Sequence, residues 1–65
     1  MVFWFKNKYD SNGVYLGRLI VRAETKEKAG KKMSRIESKW NNGLHSGKRI
    51  RGPYATMQRA KTIMS

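Results

Sequence analysis

The chain has 65 residues, with 15 lysines and arginines against four acidic residues, which gives a formal net charge of +11. A chain of this length forms one small domain, residues 1–65, which buries only about 60% of the surface that its unfolded state exposes. The absence of cysteine excludes disulfides and thiolate metal sites, and no apolar run is long enough for a membrane span or a signal-peptide core. We therefore expect a cytoplasmic protein whose basic surface binds an anionic partner.

The first half of the sequence predicts a β-hairpin and then a long helix. Residues 2–9 and 14–23 are rich in aromatic and β-branched side chains, and the turn cluster "DSNG" separates them. Gly17, inside the second strand, indicates a bulge or a close approach of another backbone. The helix is predicted from its N-cap residue Thr25 to about Trp40, before "NNG". Its apolar residues at helical spacing are Ala29, Met33, Ile36 and Trp40.

The second half predicts a loop, a short strand and a second helix. The loop is "NNGLHSGK", the strand is "RIRG", and Thr56 caps a last helix with Met57, Ala60 and Met64 facing inward. The predicted order is ββαβα. The predicted fold is therefore α+β, a small antiparallel three-stranded sheet with two helices packed on one face.

Two ten-residue segments of the chain agree in a way that indicates a strand–helix pseudo-repeat. "TKEKAGKKMS" (25–34) and "TMQRAKTIMS" (56–65) carry Thr, Ala, Met and Ser at the same four relative places. In both units, a small Ala would let the helix lie close to the sheet, and a flexible Met would fill the gap further along.

The run "GPYATMQRA" (Gly52 to Ala60) is similar to the G-P-[FY]-x-[ST]-x-x-x-A signature of SPOR domains, which bind peptidoglycan and are built from two strand–helix units. The resemblance covers nine residues and implies the fold type. The first unit, "VRAETKEKA", keeps only the Thr and the Ala of this signature, so the cell-wall function of the family is not carried over.

We predict no enzymatic activity, no metal site and no cofactor. His45 is the only histidine, and it lies in a glycine-flanked loop without an acid or thiol partner in the sequence. The run "GLHSGKR" resembles a phosphate-binding loop, but it lacks Ser or Thr after Lys48 and precedes a strand instead of a helix. A solvated loop therefore accounts for these residues.

The first predicted helix carries a stripe of basic residues. On a helical wheel at about 100° per residue, this stripe lies roughly 90° from the apolar residues. Like charges at such spacings destabilise a helix by about 0.2–0.5 kcal/mol per pair, so an anionic ligand is expected to relieve them. We call these residues the basic ridge: Lys28, Lys32, Arg35 and Lys39.

A second basic surface is predicted on the open face of the sheet. Strand alternation sends an aromatic ring and several cations to one face of the sheet if the apolar strand residues face the helices. Those apolar residues are Phe3, Phe5, Leu19, Val21 and Ile50. Cations for phosphates and an aromatic for bases are the features of sheet-based single-strand binders. The residues assigned to this face are Trp4, Lys6, Lys8, Arg18, Arg22, Arg49 and Arg51, together with the exposed aliphatics Leu16 and Ile20.

The leading prediction is a non-enzymatic nucleic-acid-binding protein that grips phosphates with the basic ridge and the basic sheet face. Such contacts serve DNA and RNA alike. The alternative is a small virus-encoded inhibitor or regulator that binds an acidic surface of a host protein such as RNA polymerase or a nuclease. Leu16 and Ile20 favour that alternative, or a homodimer through the open sheet face, because protein interfaces have apolar centres. A membrane surface is not expected, because the apolar stripe of the helix is needed for the core.

Overall fold

The computed structural model describes residues 1–40 and 43–64. It contains one antiparallel sheet with β1 at its centre: β2 pairs along one side of β1, and both β3 and β4 pair along the other. Neither helix of the described part is long and apolar enough to cross a membrane. In chain order, the elements are β1 (Val2–Tyr9), β2 (Tyr15–Ala23), α1 (Lys26–Glu37), β3 (His45–Ser46), β4 (Arg51–Tyr54) and α2 (Met57–Thr62).

The predicted α+β class, with an antiparallel sheet and two helices, is confirmed. The sheet has one more strand than predicted, because the two residues of β3 pair with the end of β1 inside the segment that we expected to be a loop. Asn41 and Asn42, at the start of that predicted loop, lie outside the described residues.

The turn of the β1–β2 hairpin is held by an aspartate. The Oδ1 atom of Asp10 accepts hydrogen bonds from the backbone N–H groups of Asn12 and Val14 at 2.8 and 2.9 Å. A short acidic side chain that binds the backbone two residues on is a common way to stabilise a turn. The segment "DSNG" therefore forms the predicted turn, and the side chain of Asp10 stabilises it.

A bulge interrupts the hairpin at the glycine that predicted it. Lys8 pairs with Gly17, but the next residue, Tyr9, pairs with Tyr15, so Leu16 is the extra residue of β2. Gly17 has a φ angle of +107°, a conformation that side-chain-bearing residues rarely adopt. The bulge shifts the strand alternation by one residue at this end of the sheet.

The larger core lies between α1 and one face of the sheet. The indole of Trp4 is 7% exposed, and its Nε1 donates a hydrogen bond to the carbonyl of Ala23 at 3.1 Å. Fully burying a large apolar side chain stabilises a fold by about 1.5–3 kcal/mol relative to exposing it. The buried members of this core are Trp4, Val21, Ala23, Ala29 and Met33, with Val2, Leu19 and Ile50 packed against them.

The shorter helix α2 covers the opposite face of the sheet. Phe5 and Ala60 are completely buried there, and the ring of Phe5 stacks on Tyr54 with centroids 5.7 Å apart. The guanidinium of Arg18 lies 4.1 Å from the centroid of Phe5. It also donates hydrogen bonds to the carbonyls of Ala60, at 2.7 Å, and Ile63. Arg18 therefore ties the end of α2 to β2.

The prediction that both helices pack on one face is wrong, and the strand register gives the reason. Trp4 pairs with Val21 and Phe5 pairs with Ile20. Side chains of directly opposed residues point to the same face of a sheet. The prediction places Phe5 and Val21 on the same face. It assigns the faces of each strand from the apolar residues of that strand alone, and the sequence does not reveal the register between the two strands.

The pseudo-repeat holds at its threonines and alanines. Thr25 and Thr56 have nearly the same extended backbone, with φ and ψ of −134° and 160° in one and −133° and 157° in the other. Each hydroxyl accepts a hydrogen bond from the N–H three residues on, as an N-cap does. Ala29 and Ala60 are both completely buried against the sheet.

The repeat does not extend to the methionines. Met33 is completely buried, but Met64 is 88% exposed and Met57 is also exposed, so the inward placement of Met57 and Met64 is wrong. Ile63, at the end of α2, has extended backbone angles, and Met64 therefore leaves the helix. Ser65, the last matched position, lies outside the described residues.

Candidate functional site

Two of the four acidic residues are used inside the fold. Asp10 binds the hairpin turn. The carboxylate of Glu37 accepts the Nζ of Lys6 at 3.1 Å and the hydroxyl of Ser46 at 2.9 Å, which joins α1 to β1 and β3. These acids therefore do not neutralise the outer surface.

The other two acids lie at the start of α1. Glu24 pairs with Lys28 at 3.2 Å, with both side chains more than half exposed. A pair of this kind contributes about 0–1 kcal/mol. Glu27 is in the first turn of the helix, where a negative charge is favourable to the helix dipole. Most of the cationic excess is therefore left without an acidic neighbour.

The side of α1 that points away from the sheet is cationic. Ala29 and Met33 are buried and Glu37 is half-buried against the sheet, so on a wheel at about 100° per residue Lys31 and Arg35 are the cations most nearly opposite them. We call this side the outward cationic face. Its exposed members are Lys28, Lys31, Lys32 and Arg35; Lys39, the last residue of the predicted ridge, is exposed in the turn after α1.

The structure rotates α1 relative to the prediction. Ile36, predicted to be inward, is 39% exposed, because Glu37 takes the inward position to reach Lys6. The basic ridge therefore points further from the sheet than predicted, and Lys31 joins it. The sequence could have revealed Lys31 only if the ion pair between Lys6 and Glu37 had been foreseen.

The first half of the basic ridge lies at the outer edge of the sheet. Lys28 binds Glu24 at the end of β2, and the Nζ of Lys32 donates to the carbonyl of Arg22. At the other end of α1, Lys8 lies 5.8 Å from the ring of Trp40. Glu37, the last residue of α1, contacts Lys6 of β1 and Ser46 of β3, so α1 crosses the sheet from the C-terminal end of β2 toward β3. Lys28 and Lys32 therefore lie beside β2, and the other end of α1 lies over β1 and β3.

Trp4 is not placed to stack on a nucleic-acid base. Its ring is packed between the sheet and α1, and Gly52 approaches so closely that a Cβ atom there would lie 2.7 Å from Cε3 of the indole. The prediction that put Trp4 on an open sheet face is wrong, because the strand register places Trp4 and Val21 on the same face. Trp4 belongs to the face that α1 covers.

The predicted basic sheet face is divided between several environments. Arg18 is bound to α2, while Lys6 and Lys8 lie on the α1 side of the sheet. The remaining predicted cations are Arg22, which is exposed, Arg49, exposed before β4, and Arg51, half-buried at the start of β4. Of the whole set, Arg22 is the one joined to the basic ridge, through its carbonyl and Lys32.

Leu16 and Ile20 differ in exposure. Leu16 is 45% exposed in the bulge, whereas Ile20 is half-buried and pairs with Phe5 on the α2 side of the sheet. Val14 and Tyr15 are exposed next to Leu16. These neighbouring side chains form a short apolar run at the hairpin end of the molecule.

A cavity of about 440 Å³ opens at the hairpin end, on the α2 side of the sheet. Sequence patterns do not predict this cavity, because it forms where Met64, after α2, lies beside the hairpin. Tyr9 stacks on His45 with centroids 5.8 Å apart and meets Tyr15 edge to face at 6.0 Å. The residues that line the cavity are Asn7, Tyr9, Tyr15, Arg18 and Met64.

In comparisons with known proteins, no protein-family model, no curated protein and no solved structure matches the chain. The similarity of residues 52–60 to SPOR domains therefore stays a prediction. Over residues 1–40 and 43–64, no group of three or more histidines and acids is arranged to hold a metal ion. The candidate functional surfaces are the outward cationic face and the cavity at the hairpin end.

Proposed function

We propose that the protein binds nucleic acid through phosphate contacts made by the outward cationic face of α1. The observation that carries the proposal is that four exposed cations of α1 share one side of the helix, and within the described residues only Lys28 among them forms an ion pair, with Glu24. At about 1.5 Å per residue, the 12 residues of α1 span about 18 Å. Double-stranded DNA presents about one negative charge per 1.7 Å of its axis, so several phosphates lie within reach.

The fold itself does not account for the outermost cations. Lys31 and Arg35 are one helical turn apart, where like charges destabilise the helix by about 0.2–0.5 kcal/mol. Within the described residues, no ion pair or side-chain hydrogen bond joins either of them to the rest of the protein. Phosphates bound here would relieve the repulsion and release counterions. Lysine contacts to phosphate carry no base information, so this binding is independent of sequence.

The test compares two double variants that remove the same charge. Lys31→Gln with Arg35→Gln changes the outward cationic face, and Arg59→Gln with Lys61→Gln changes α2, across the sheet. The affinity of each protein for two unrelated DNA duplexes is measured between about 50 and 200 mM salt. We expect the first variant to reduce the slope of log K against log salt by about 1.8, since each phosphate of a duplex contributes about 0.9.

The α2 variant should keep the wild-type slope, and the loss in the α1 variant should be equal for both duplexes. Equal losses of slope in the two variants would show a diffuse charge effect without a binding face. No loss in the α1 variant would contradict the proposal.

A second candidate function is binding to an acidic protein surface. The observation that favours it is the exposed apolar run formed by Val14, Tyr15 and Leu16, because interfaces combine an apolar centre with a charged rim. A stoichiometric protein complex that survives nuclease and moderate salt, and that Leu16→Ser abolishes, would favour this function over the first.

A further inference from the structure

We propose that the cavity at the hairpin end takes one unstacked base of a single-stranded nucleic acid whose phosphates lie on the outward cationic face. This inference rests on the proposed function and adds the class of nucleic acid to it. Three observations on the cavity support it: its volume, its aromatic lining and its position at the start of β2.

The lining of the cavity has the chemistry that recognises a base. Its volume is about 440 Å³, and it is largely open to solvent, so a planar base can enter it from the surface. The exposed phenol ring of Tyr15 offers a surface for stacking, which is how proteins hold unpaired bases. The amide of Asn7 supplies both a donor and an acceptor for the edge of a base. Met64 adds a polarisable side chain suited to contact with an aromatic ring.

Several of these groups are fixed before any ligand binds. Tyr9 is held by its stack on His45 and its edge contact with Tyr15. Arg18 is held by the α2 carbonyls and the ring of Phe5, and it keeps a positive charge at the cavity wall. Tyr15 is 53% exposed, so its ring is accessible to a base. A fixed site loses less conformational entropy on binding.

The cavity also lies where a bound strand would arrive. Lys28 and Lys32 contact Glu24 and Arg22 at the C-terminal end of β2, and the other end of α1 lies over Lys6 of β1, nearer the hairpin end. A nucleic-acid strand laid along α1 runs toward the hairpin end. Because the cavity opens on the other side of the sheet, the strand then passes around the edge of the sheet to place one base in it. A duplex keeps its bases paired and stacked, and extruding one requires free energy. The arrangement therefore favours single strands.

The test uses oligonucleotides that differ only in their bases. A single-stranded DNA of about 12 nucleotides, within the usual site size, is compared with an RNA of the same sequence and with an abasic strand of the same length. For the wild-type protein, we expect the abasic strand to bind about 5- to 150-fold more weakly, which is the value of one stacked base. Tyr15→Ala should remove most of this difference, and Asn7→Ala part of it.

Val14→Ala is the matched control, because Val14 is as exposed as its neighbour Tyr15 but does not line the cavity. It should leave the preference for bases intact. Far-UV circular dichroism of each variant checks that the fold is retained. A preference that DNA and RNA share supports recognition of the base alone, and a stronger preference for RNA supports an added contact to the ribose hydroxyl.

Failure of this inference is distinguishable from failure of the proposed function. If the wild-type protein binds abasic and normal strands equally, or if Tyr15→Ala weakens both equally, the cavity does not take a base, and phosphate binding by α1 stands. If Lys31→Gln with Arg35→Gln leaves the binding of every strand unchanged, the proposed function fails, and this inference fails with it.

Discussion

Replacing Arg18 by Met should weaken the attachment of α2 to the sheet. The methionine side chain keeps most of the aliphatic part of the arginine, so the change removes mainly the charged group. The change removes two hydrogen bonds from a charged donor, to the carbonyls of Ala60 and Ile63, and the contact with Phe5. Hydrogen bonds with a charged partner contribute about 1.5–3 kcal/mol each, and the half-buried position of Arg18 favours the lower end. We expect a loss of about 2–4 kcal/mol, out of a total that is about 3–10 kcal/mol for a domain of this size.

Thermal unfolding followed by far-UV circular dichroism measures this loss. In a domain of this length, 1 kcal/mol shifts the midpoint by about 4–8 °C, so the Arg18→Met midpoint should fall by about 8–30 °C. Arg22→Met is the matched control, since Arg22 lies on the same face of the same strand but is exposed. Equal, small shifts in the two variants would refute the assignment of Arg18 to the α2 contact.

Three further predictions concern the stability of the fold. Met33→Ala should lower the free energy of unfolding by about 2–5 kcal/mol, because Met33 is completely buried, and Ile36→Ala should lower it much less, because Ile36 is partly exposed. Equal losses for the two variants in urea unfolding would contradict the observed rotation of α1. Gly52→Ala should destabilise the fold more than Gly13→Ala, because both glycines have positive φ but only at Gly52 would an added Cβ lie within 3 Å of Trp4. A higher melting midpoint for Gly52→Ala than for Gly13→Ala would contradict that contact. Changing the four residues of the basic ridge to Gln should keep the far-UV signal and raise the melting midpoint, because it relieves repulsion; a large drop would mean that the ridge is structural.

The local features of the fold follow from the sequence because their causes are local. Asp10 binds the backbone of its own turn, Thr25 and Thr56 cap the helices that they precede, and Gly17 supplies the positive φ of the bulge. Each of these interactions spans only a few residues, so the residue type and its position are sufficient to predict it.

The placement of the helices depends on long-range pairing, which alternation within one strand does not determine. Even so, the sequence contained a sign that both faces of the sheet are covered. Val2 to Phe5 and Leu19 to Val21 are continuous apolar runs, and such runs are typical of strands buried on both sides. A half-exposed sheet would have alternated apolar and polar residues in these segments.

Only part of the candidate site could be predicted, because the rest of it also depends on contacts between distant parts of the chain. The charge of α1 is visible in the sequence, because its cations recur on one helix. The cavity joins Tyr9 and Tyr15 to Met64, from the other end of the chain, and the role of Arg18 depends on α2. Neither arrangement leaves a pattern in sequence spacing.

The most direct test of the central claim follows individual cations by NMR during titration with a single-stranded oligonucleotide at physiological salt. The arginine Nε–H and lysine side-chain signals report contact with phosphate at each position. We expect the signals of Lys31 and Arg35 to shift on binding, while those of Arg59 and Lys61, on the other side of the sheet, stay in place. Equal shifts on both helices, or shifts confined to α2, would contradict the claim that α1 grips the phosphates.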